Sequence, residues 1–482
     1  MKRDFVLNIL FLLAINLLIK PFFIFGIDRA VQNEVGLAAY GMYFTLFNFT
    51  YLFQIVIDFG IQNFNNRNIA QHPHLLTKYF NHVFVLKLGL SLVYAVLVLS
   101  AAAVLGYSWA YFKVLSVLVL NQIFISFTLY FRSNISGLQR YFTDSLLSVL
   151  DKLLLILFCS VLLYANPFER HFEITWFVYA QTAAYATTAF IAFLQVYKQL
   201  KTISLRWNKA FQYWLLRASL PYALIVFLMS VYTRIDGVMI EQLAGATEVG
   251  LYASAYRLLD AATMVGLLFS GLLLPMYARQ LKEGVSVVPL TRLSVTAIWA
   301  ISAAVAAGCF VFRFDLMNLL YHGATDYSGE LLGWLMLSFP AVCIMYIFGA
   351  LLLSKGDLRP LNWLFASSVV FNIACNFILI PWFKALGGAV ATLLTQYLVA
   401  VALVLIAKKA FNWQIDWRLL SRISLFAVLS GFLFYAVKNA LFYLDTSYNW
   451  LFQFCFSAIC CVFLSFLLRL IDVKSIIQTF KK

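Results

Sequence analysis

Charge is what this chain has least of: only 11% of its 482 residues are Asp, Glu, Lys or Arg, and soluble domains carry roughly 25%. Histidine is scarce at 5 and proline at 9. The 7 cysteines sit mostly inside apolar runs, with neither the paired spacing of a metal site nor the loop framework of a disulfide scaffold. No Gly-rich phosphate loop of the GxxxxGK[ST] kind occurs. Long polar segments are missing too. No connection is long enough to fold as a soluble catalytic domain, so any function has to reside among the apolar segments.

What fills the chain is hydrophobic: 63% of residues, with a mean hydropathy of +0.88. Such a composition needs lipid as its solvent, which makes this an integral, polytopic membrane protein. The opening MKRDFVLNILFLLAINLLIKPFFIF begins like a signal sequence. Its apolar run is too long, and no small-residue cleavage site follows, so it reads as a retained first helix. A span needs about 20 apolar residues. That ruler gives about fourteen transmembrane helices, from 5–25 and 38–60 through 212–236 and 250–274 to 420–441 and 448–470.

The net charge of +15 could point to nucleic acid, but the basic residues are spread along the chain and concentrated on one side of it. With fourteen helices, 23 of the 35 Lys and Arg fall on one face, six on the other and six within spans. The positive-inside rule then places both termini in the cytoplasm and leaves no basic domain for nucleic acid.

The tetrapeptide EVGL occurs at Glu34–Leu37 and again at Glu248–Leu251. Each copy follows a polar stretch and a proline-bearing helix (Pro21, Pro221), and each leads into a helix ending at a basic loop. This order predicts a parallel duplication of helices 1–6 as 7–12, with helices 13 and 14 appended. The expected architecture is all-α, with two pseudo-symmetric six-helix lobes: residues 1–200, residues 201–410, and two further helices and a tail in 411–482.

Ionisable residues inside a span are costly and become functional candidates by default. The basic ones are Lys20, Lys87, Lys152, Arg217, Arg234 and Arg257; the acidic ones are Asp58, Asp151, Asp236 and Asp260. Arg217 and Asp58 lie near the cytoplasmic end, where snorkelling is available. Asp151 and Lys152 are adjacent and suit structural neutralisation, and Lys87 is within reach of the inner interface. Asn16 and Lys20 share a face of helix 1, and Arg257 and Asp260 are spaced to pair on helix 8. At the 214-residue offset of EVGL, Arg257 corresponds to Tyr43 and Asp260 to Leu46. The candidate cavity set is therefore Asn16, Lys20, Asn48, Arg234 and Arg257, with Asp58, Asp236 and Asp260 for ion coupling or charge pairing. Polar stripes also run along helix 4 (Asn121, Thr128, Arg132) and helix 6 (Gln181, Tyr185, Thr188), where interhelical hydrogen bonding is the simpler reading.

The stretch YTRIDGVMIEQLAGATEVGLYASAYRLLD (Tyr232–Asp260) resembles a hallmark of the polysaccharide transporter family. So does NIACNFILIPWFKALGGAVATLLTQY (Asn372–Tyr397), with its Asn-x3-Asn, Ile-Pro and Gly-Gly-Ala elements. That family includes O-antigen-type flippases and belongs to the multidrug/oligosaccharidyl-lipid/polysaccharide exporter superfamily. The resemblance implies a V-shaped pair of lobes in a bacterial cytoplasmic membrane. They would move undecaprenyl-diphosphate-linked oligosaccharide to the outer leaflet, driven by an H+ or Na+ gradient or by downstream consumption. It also implies contact with membrane lipid and with a polysaccharide polymerase or assembly partners, no cofactor, and no enzymatic step. The family's Asp and Arg around helices 7 and 8 match Asp236 and Arg257. Alternatives on the same fold are a lipid II flippase and a multidrug/cation antiporter. Six intramembrane basics against four acids favour an anionic substrate over a cationic one. A membrane glycosyl polymerase is disfavoured by the short outer loops, where His322 and Asp326 read as interfacial polar residues.

Overall fold

A computed structural model of the chain describes residues 15–16, 18–138, 140–165, 171–200, 202, 207–356, 358–414, 416–440, 449–468 and 470. Among these residues there are helices and no strands. That is what lipid demands: a helix satisfies its own backbone hydrogen bonds where no water can. Twelve described helices are long and apolar enough to cross a membrane, and they coincide with the third to fourteenth expected spans. Of the first expected span, residues 5–14 and 17 lie outside the described residues. The second is interrupted, as set out below.

The chain divides by packing into two compact units, 1–250 and 251–482. In the first, helix at 18–22 passes through a π-helical turn, Phe23–Asp28, into α1 (Arg29–Leu52). A short α2 (Gln54–Asp58) and α3 (Ile61–Gln71) follow, separated by Phe59 and Gly60, both in the left-handed region. Next come α4 (Leu76–Val104), α5 (Trp109–Gly137), α6 (Tyr141–Ser160), α7 (Ile174–Tyr197) and α8 (Lys209–Ala244). Their core is aromatic: Phe80, Tyr130 and Phe131 stack closely with Phe84 and Phe193 at its edge.

The second unit is entered along α9 (Ala246–Lys282) and continues through α10 (Val288–Val311) and α11 (Arg313–Leu320) to α12 (Asp326–Leu337). Then follow α13 (Phe339–Lys355), α14 (Arg359–Phe383), α15 (Ala385–Ala410), α16 (Trp417–Ala440) and α17 (Asn449–Leu467). The expected tenth span is two helices, α12 and α13, which meet at Ser338 just ahead of Pro340. Here Phe312, Phe434 and Phe454 pack together on small residues of α10, Ala300, Ala303 and Gly308. Large side chains such as Trp363 and Trp382 stand about four-fifths exposed, as a lipid-facing surface requires.

The sequence predicts polar loops at roughly 26–37 and 237–249. Both are helical. Each connection shrinks to one glycine: Gly36 at φ 80°, ψ 169° within α1, and Gly245 at φ 94°, ψ 166° between α8 and α9. This backbone region is open almost only to glycine. The two breaks are 209 residues apart, so the conformational register differs from the 214 residues of the EVGL match. Within the first unit the chain crosses itself immediately after these breaks. A Cβ at Gly41 would strike the Ala246 carbonyl, and one at Gly250 would strike the Leu37 carbonyl. In the 209 register Leu37 corresponds to Ala246 and Gly41 to Gly250, so the crossing has a two-fold character.

Candidate functional site

The three glycines of Tyr232–Asp260 serve three different purposes. Gly237 faces Asn48 and Phe44 of α1, Gly245 forms the break, and Gly250 forms the crossing and accepts a 2.9 Å hydrogen bond from Gln32. The second family-like stretch locks a helical hairpin. Asn376 donates to Asn372 (3.1 Å) and Asn372 donates to Thr395 (3.3 Å), all fully buried between α14 and α15. Gly387 admits the backbone of Leu379 at the turn, where Lys384 takes φ 51°. Both motifs therefore read first as packing devices, and the chemistry must be sought in the charges.

The first unit gathers those charges. Lys152 on α6 pairs with Asp151 at 3.3 Å and donates to the Tyr185 hydroxyl of α7 at 3.3 Å. Its ammonium lies over the Tyr185 ring (5.2 Å to the centroid) and the Phe23 ring (5.1 Å). Lys20 is within electrostatic range of Asp151, Lys152 and Arg132, and Arg132 of α5 donates to Asp144 at 2.8 Å. Tyr51 of α1 is within range of Lys152 and Tyr185, and the Arg234 guanidinium stands 5.6 Å from the Tyr51 ring centre. Asn16 donates to Ser148 at 3.0 Å beside this group. The side chains of Arg132, Asp151 and Lys152 are each about one-fifth to one-quarter exposed. A group with cations in excess, aromatic faces and partial access can neutralise an anion and stack on rings.

Among the sequence candidates, Lys20, Asn16 and Arg234 fall in this group. Asn48 is buried near Gly237, and its Oδ1 has no hydrogen-bond partner among the described residues. Asp236 is buried on α8. Arg257 and Asp260 belong to the second unit and pair with each other at 3.6 Å, largely buried. Asp58 pairs with Lys87 at 3.6 Å. Lys87 is fully buried and donates to Ser126 (2.7 Å) and the Ile57 carbonyl (3.3 Å). Of the two roles expected of Asp58, ion coupling or charge pairing, the geometry has it in a charge pair. The pair closes the end of α2 beneath the left-handed Phe59.

The group's other members were not nominated from sequence. Lys152 and Asp151 read as a mutually neutralising pair, but the aromatic residues that frame them come from helices 1 and 6. Arg132 was counted with a helix 4 stripe that does not act together: Asn121 donates to the Val178 carbonyl and Thr128 to its own helix. Asp28, expected in a loop, is buried and accepts from Tyr40 at 2.6 Å. Asp326 begins α12 behind a capping box made by Thr325 and Ser328, which matches an interfacial structural role. Among the described residues no three of His, Cys, Asp and Glu gather in a way that would hold a metal.

Solved structures of similar fold include a lipid II flippase, MurJ, in an inward closed conformation. Its TM-score is 0.71 at 13% identity, over 92% of this chain and 96% of that one. An inward-facing multidrug resistance MATE transporter gives 0.62 at 16% identity, over 81% and 94%. A point mutant of the Vibrio cholerae MATE transporter VcmN gives 0.60 at 16%, over 84% and 95%. No curated protein sequence matches the chain. The fold is thus that of the multidrug/oligosaccharidyl-lipid/polysaccharide exporters, in a multi-pass membrane protein. A profile described as "Polysaccharide biosynthesis protein" matches residues 5–280, more than half the chain, and the protein belongs to that family.

Proposed function

We propose that this protein is a flippase. It carries an undecaprenyl-diphosphate-linked oligosaccharide from the cytoplasmic to the outer leaflet of a bacterial cytoplasmic membrane by alternating access. The reading rests on the group around Lys152: three cations, Lys20, Arg132 and Lys152, share Asp144 and Asp151, with Phe23, Tyr51 and Tyr185 beside them. A diphosphate supplies the missing negative charge, and sugar rings have aromatic faces to stack on. Arg257, in the second unit, is a candidate phosphate contact in its own right, since guanidinium offers two parallel donors to phosphate oxygens. No bond in the substrate has to change, so the role is transport and not enzymatic.

The supporting layout keeps residues 1–200 and 201–410 as repeated lobes with 411–482 appended, and both termini cytoplasmic. Asp58, Asp236 and Asp260 are the candidates for an H+ or Na+ site or for charge pairing, Asp58 being matched by Lys87 and Asp260 by Arg257 at 3.6 Å each. A lipid II flippase is the second reading, favoured by the likeness to MurJ over 92% of the chain. It uses the same diphosphate chemistry with a different glycan. A cation antiporter is disfavoured by the excess of cations.

Deletion of the gene tests this directly. Lipid-linked oligosaccharide should accumulate in the inner leaflet, and surface glycan should disappear. Intact glycan export in the deletion strain would sink the proposal, and rescue of a lipid II flippase mutant would transfer it to the second reading. Lys152→Met should lower export about tenfold at normal protein abundance, corresponding to ~1.4 kcal/mol of binding.

A further inference from the structure

The second unit holds a cavity of about 340 Å3 among α10, α13, α15 and α16, within the range of ~300–1,000 Å3 usual for small-ligand sites. Its walls are apolar: Val295, Ala341, Ile344, Val404, Leu419 and Ile423. Two polar atoms of its aromatic lining are already used. Trp299 donates to the Ile423 carbonyl at 3.0 Å and Tyr397 to the Leu337 carbonyl at 3.2 Å. Ser424 is the one hydroxyl-bearing residue besides Tyr397 in an otherwise apolar wall.

One end differs. The first turns of α10 and α16 and the last turn of α15 bring Arg292, Lys408, Trp413 and Asp416 to the rim. Trp413 stacks on Phe348 at 5.8 Å, and Lys355 is tied to the Ala410 carbonyl at 2.8 Å. Asp416 pairs with Arg292 and accepts from the backbone N–H groups of Arg418 (3.0 Å) and Leu419 (3.1 Å), capping α16. These backbone bonds, Leu419's foremost, and the Arg292 charge hold its carboxyl below the usual carboxylate range. The rim's acid is thereby matched, while Lys408, Lys409, Arg418 and Arg422 stand exposed around it. The rim is positive.

Length chooses the occupant. Eleven residues separate Tyr397 from Lys408 along α15, about 16 Å at 1.5 Å per residue. One leaflet of hydrocarbon is half of a core ~30 Å thick. The cavity therefore runs one leaflet deep, with its positive rim at the height of phosphate groups. We propose that it binds an anionic glycerophospholipid of the adjoining leaflet, one acyl chain lying along Val404 and Ile344 and the phosphate meeting Lys408 and Arg292. The proposal does not depend on the transported substrate or on which leaflet faces the cytoplasm.

The test uses the full chain in mixed micelles, with native mass spectrometry reading retained phosphatidylglycerol against phosphatidylcholine. Wild type should retain phosphatidylglycerol in preference. Lys408→Gln, at an exposed position, should reduce that preference about fivefold, from ~1 kcal/mol per basic residue near an anionic headgroup. Val404→Trp and, independently, Ala400→Trp should fill the cavity and abolish retention of the tightly held lipid. Equal retention of the two lipids by wild type, or unchanged retention by both tryptophan variants, would overturn the proposal. Displacement of phosphatidylglycerol by equimolar undecaprenyl phosphate would overturn it as well, assigning the cavity to the carrier's tail.

Discussion

The helices that follow Gly36 and Gly245 begin as copies and end as opposites. Five residues past each break stands a glycine at the crossing, Gly41 and Gly250. Seven residues past stands a fully buried tyrosine: Tyr43 accepts from Gln181 at 2.7 Å, and Tyr252 shares a 3.2 Å hydrogen bond with Thr392. Those partners lie on α7 and α15, the sixth and twelfth expected spans. Twelve and fifteen residues past, the copies part: Asn48 and Tyr51 on one, Arg257 and Asp260 on the other. Breaks tolerate few residue types because their positive φ suits glycine, and crossings because backbone meets backbone there. Positions beyond them face side chains and can diverge. The polar positions themselves are shared; what differs is whether they carry charge.

Twenty-two residues past the breaks the contrast is sharpest, with Asp58 in one copy and the half-exposed Leu267 in the other. Only the first copy needs Lys87 opposite. Lys87→Met should leave the partly exposed Asp58 without its cation, and Ser126 and the Ile57 carbonyl without their buried donor, and cost about 3–5 kcal/mol, read as lost abundance and a lowered unfolding temperature. The double variant Asp58→Leu/Lys87→Met makes the first copy like the second and should recover most of that loss. A double variant as unstable as the single would mean that the two copies pack differently here.

The crossing offers the next test. Gly41→Leu and Gly250→Leu each push a side chain into a backbone carbonyl, and overpacking costs about 1–3 kcal/mol. The two-fold character predicts similar losses for the two variants, measured by thermal unfolding. Gly271→Ala, in a helix with open space around it, should be neutral or slightly stabilising. Gly36→Ala and Gly245→Ala should each cost roughly 1–2 kcal/mol, the strain of placing an L-residue at these positive φ angles. A difference between them beyond about 0.5 kcal/mol would break the equivalence of the two turns.

Much of this was legible beforehand, and the misses share a cause. Hydropathy found the spans because lipid acts on averages over about 20 residues. Loop lengths failed where a single glycine turned the chain, since charged and polar residues such as Asp28, Arg29 and Gln32 look like a loop until their partners are known. The tetrapeptide EVGL suggested a repeat but set its register wrong by five residues, because only one of its two glycines is a break. That slip aligned Arg257 with buried Tyr43 and hid its match to Asn48. The cation group around Lys152 escaped for another reason. Its members come from six helices, and periodicity along one helix says nothing about which faces meet. Asp151 and Lys152 could be seen; Phe23 and Tyr185 beside them could not.

The last test concerns the charge that separates the copies, and it reads activity at matched protein abundance. Arg257→Asn restores at that position the residue type found in the first copy and leaves Asp260 about one-fifth exposed on its helix. The pair is largely buried, so losing it should cost about 1–3 kcal/mol of stability, and export is compared at matched protein abundance. If Arg257 meets a diphosphate, export of lipid-linked oligosaccharide should fall about fivefold to tenfold, from ~1–1.4 kcal/mol of lost binding. Lys should rescue it only in part, because an ammonium cannot make the guanidinium's two parallel bonds. Asp260→Asn separates this role from pairing: it breaks the same ion pair but leaves the cation. Export unaffected by Arg257→Asn, or equally damaged by Asp260→Asn at normal abundance, would make the charge a feature of helix packing, and the two copies would then differ only in how they are held together.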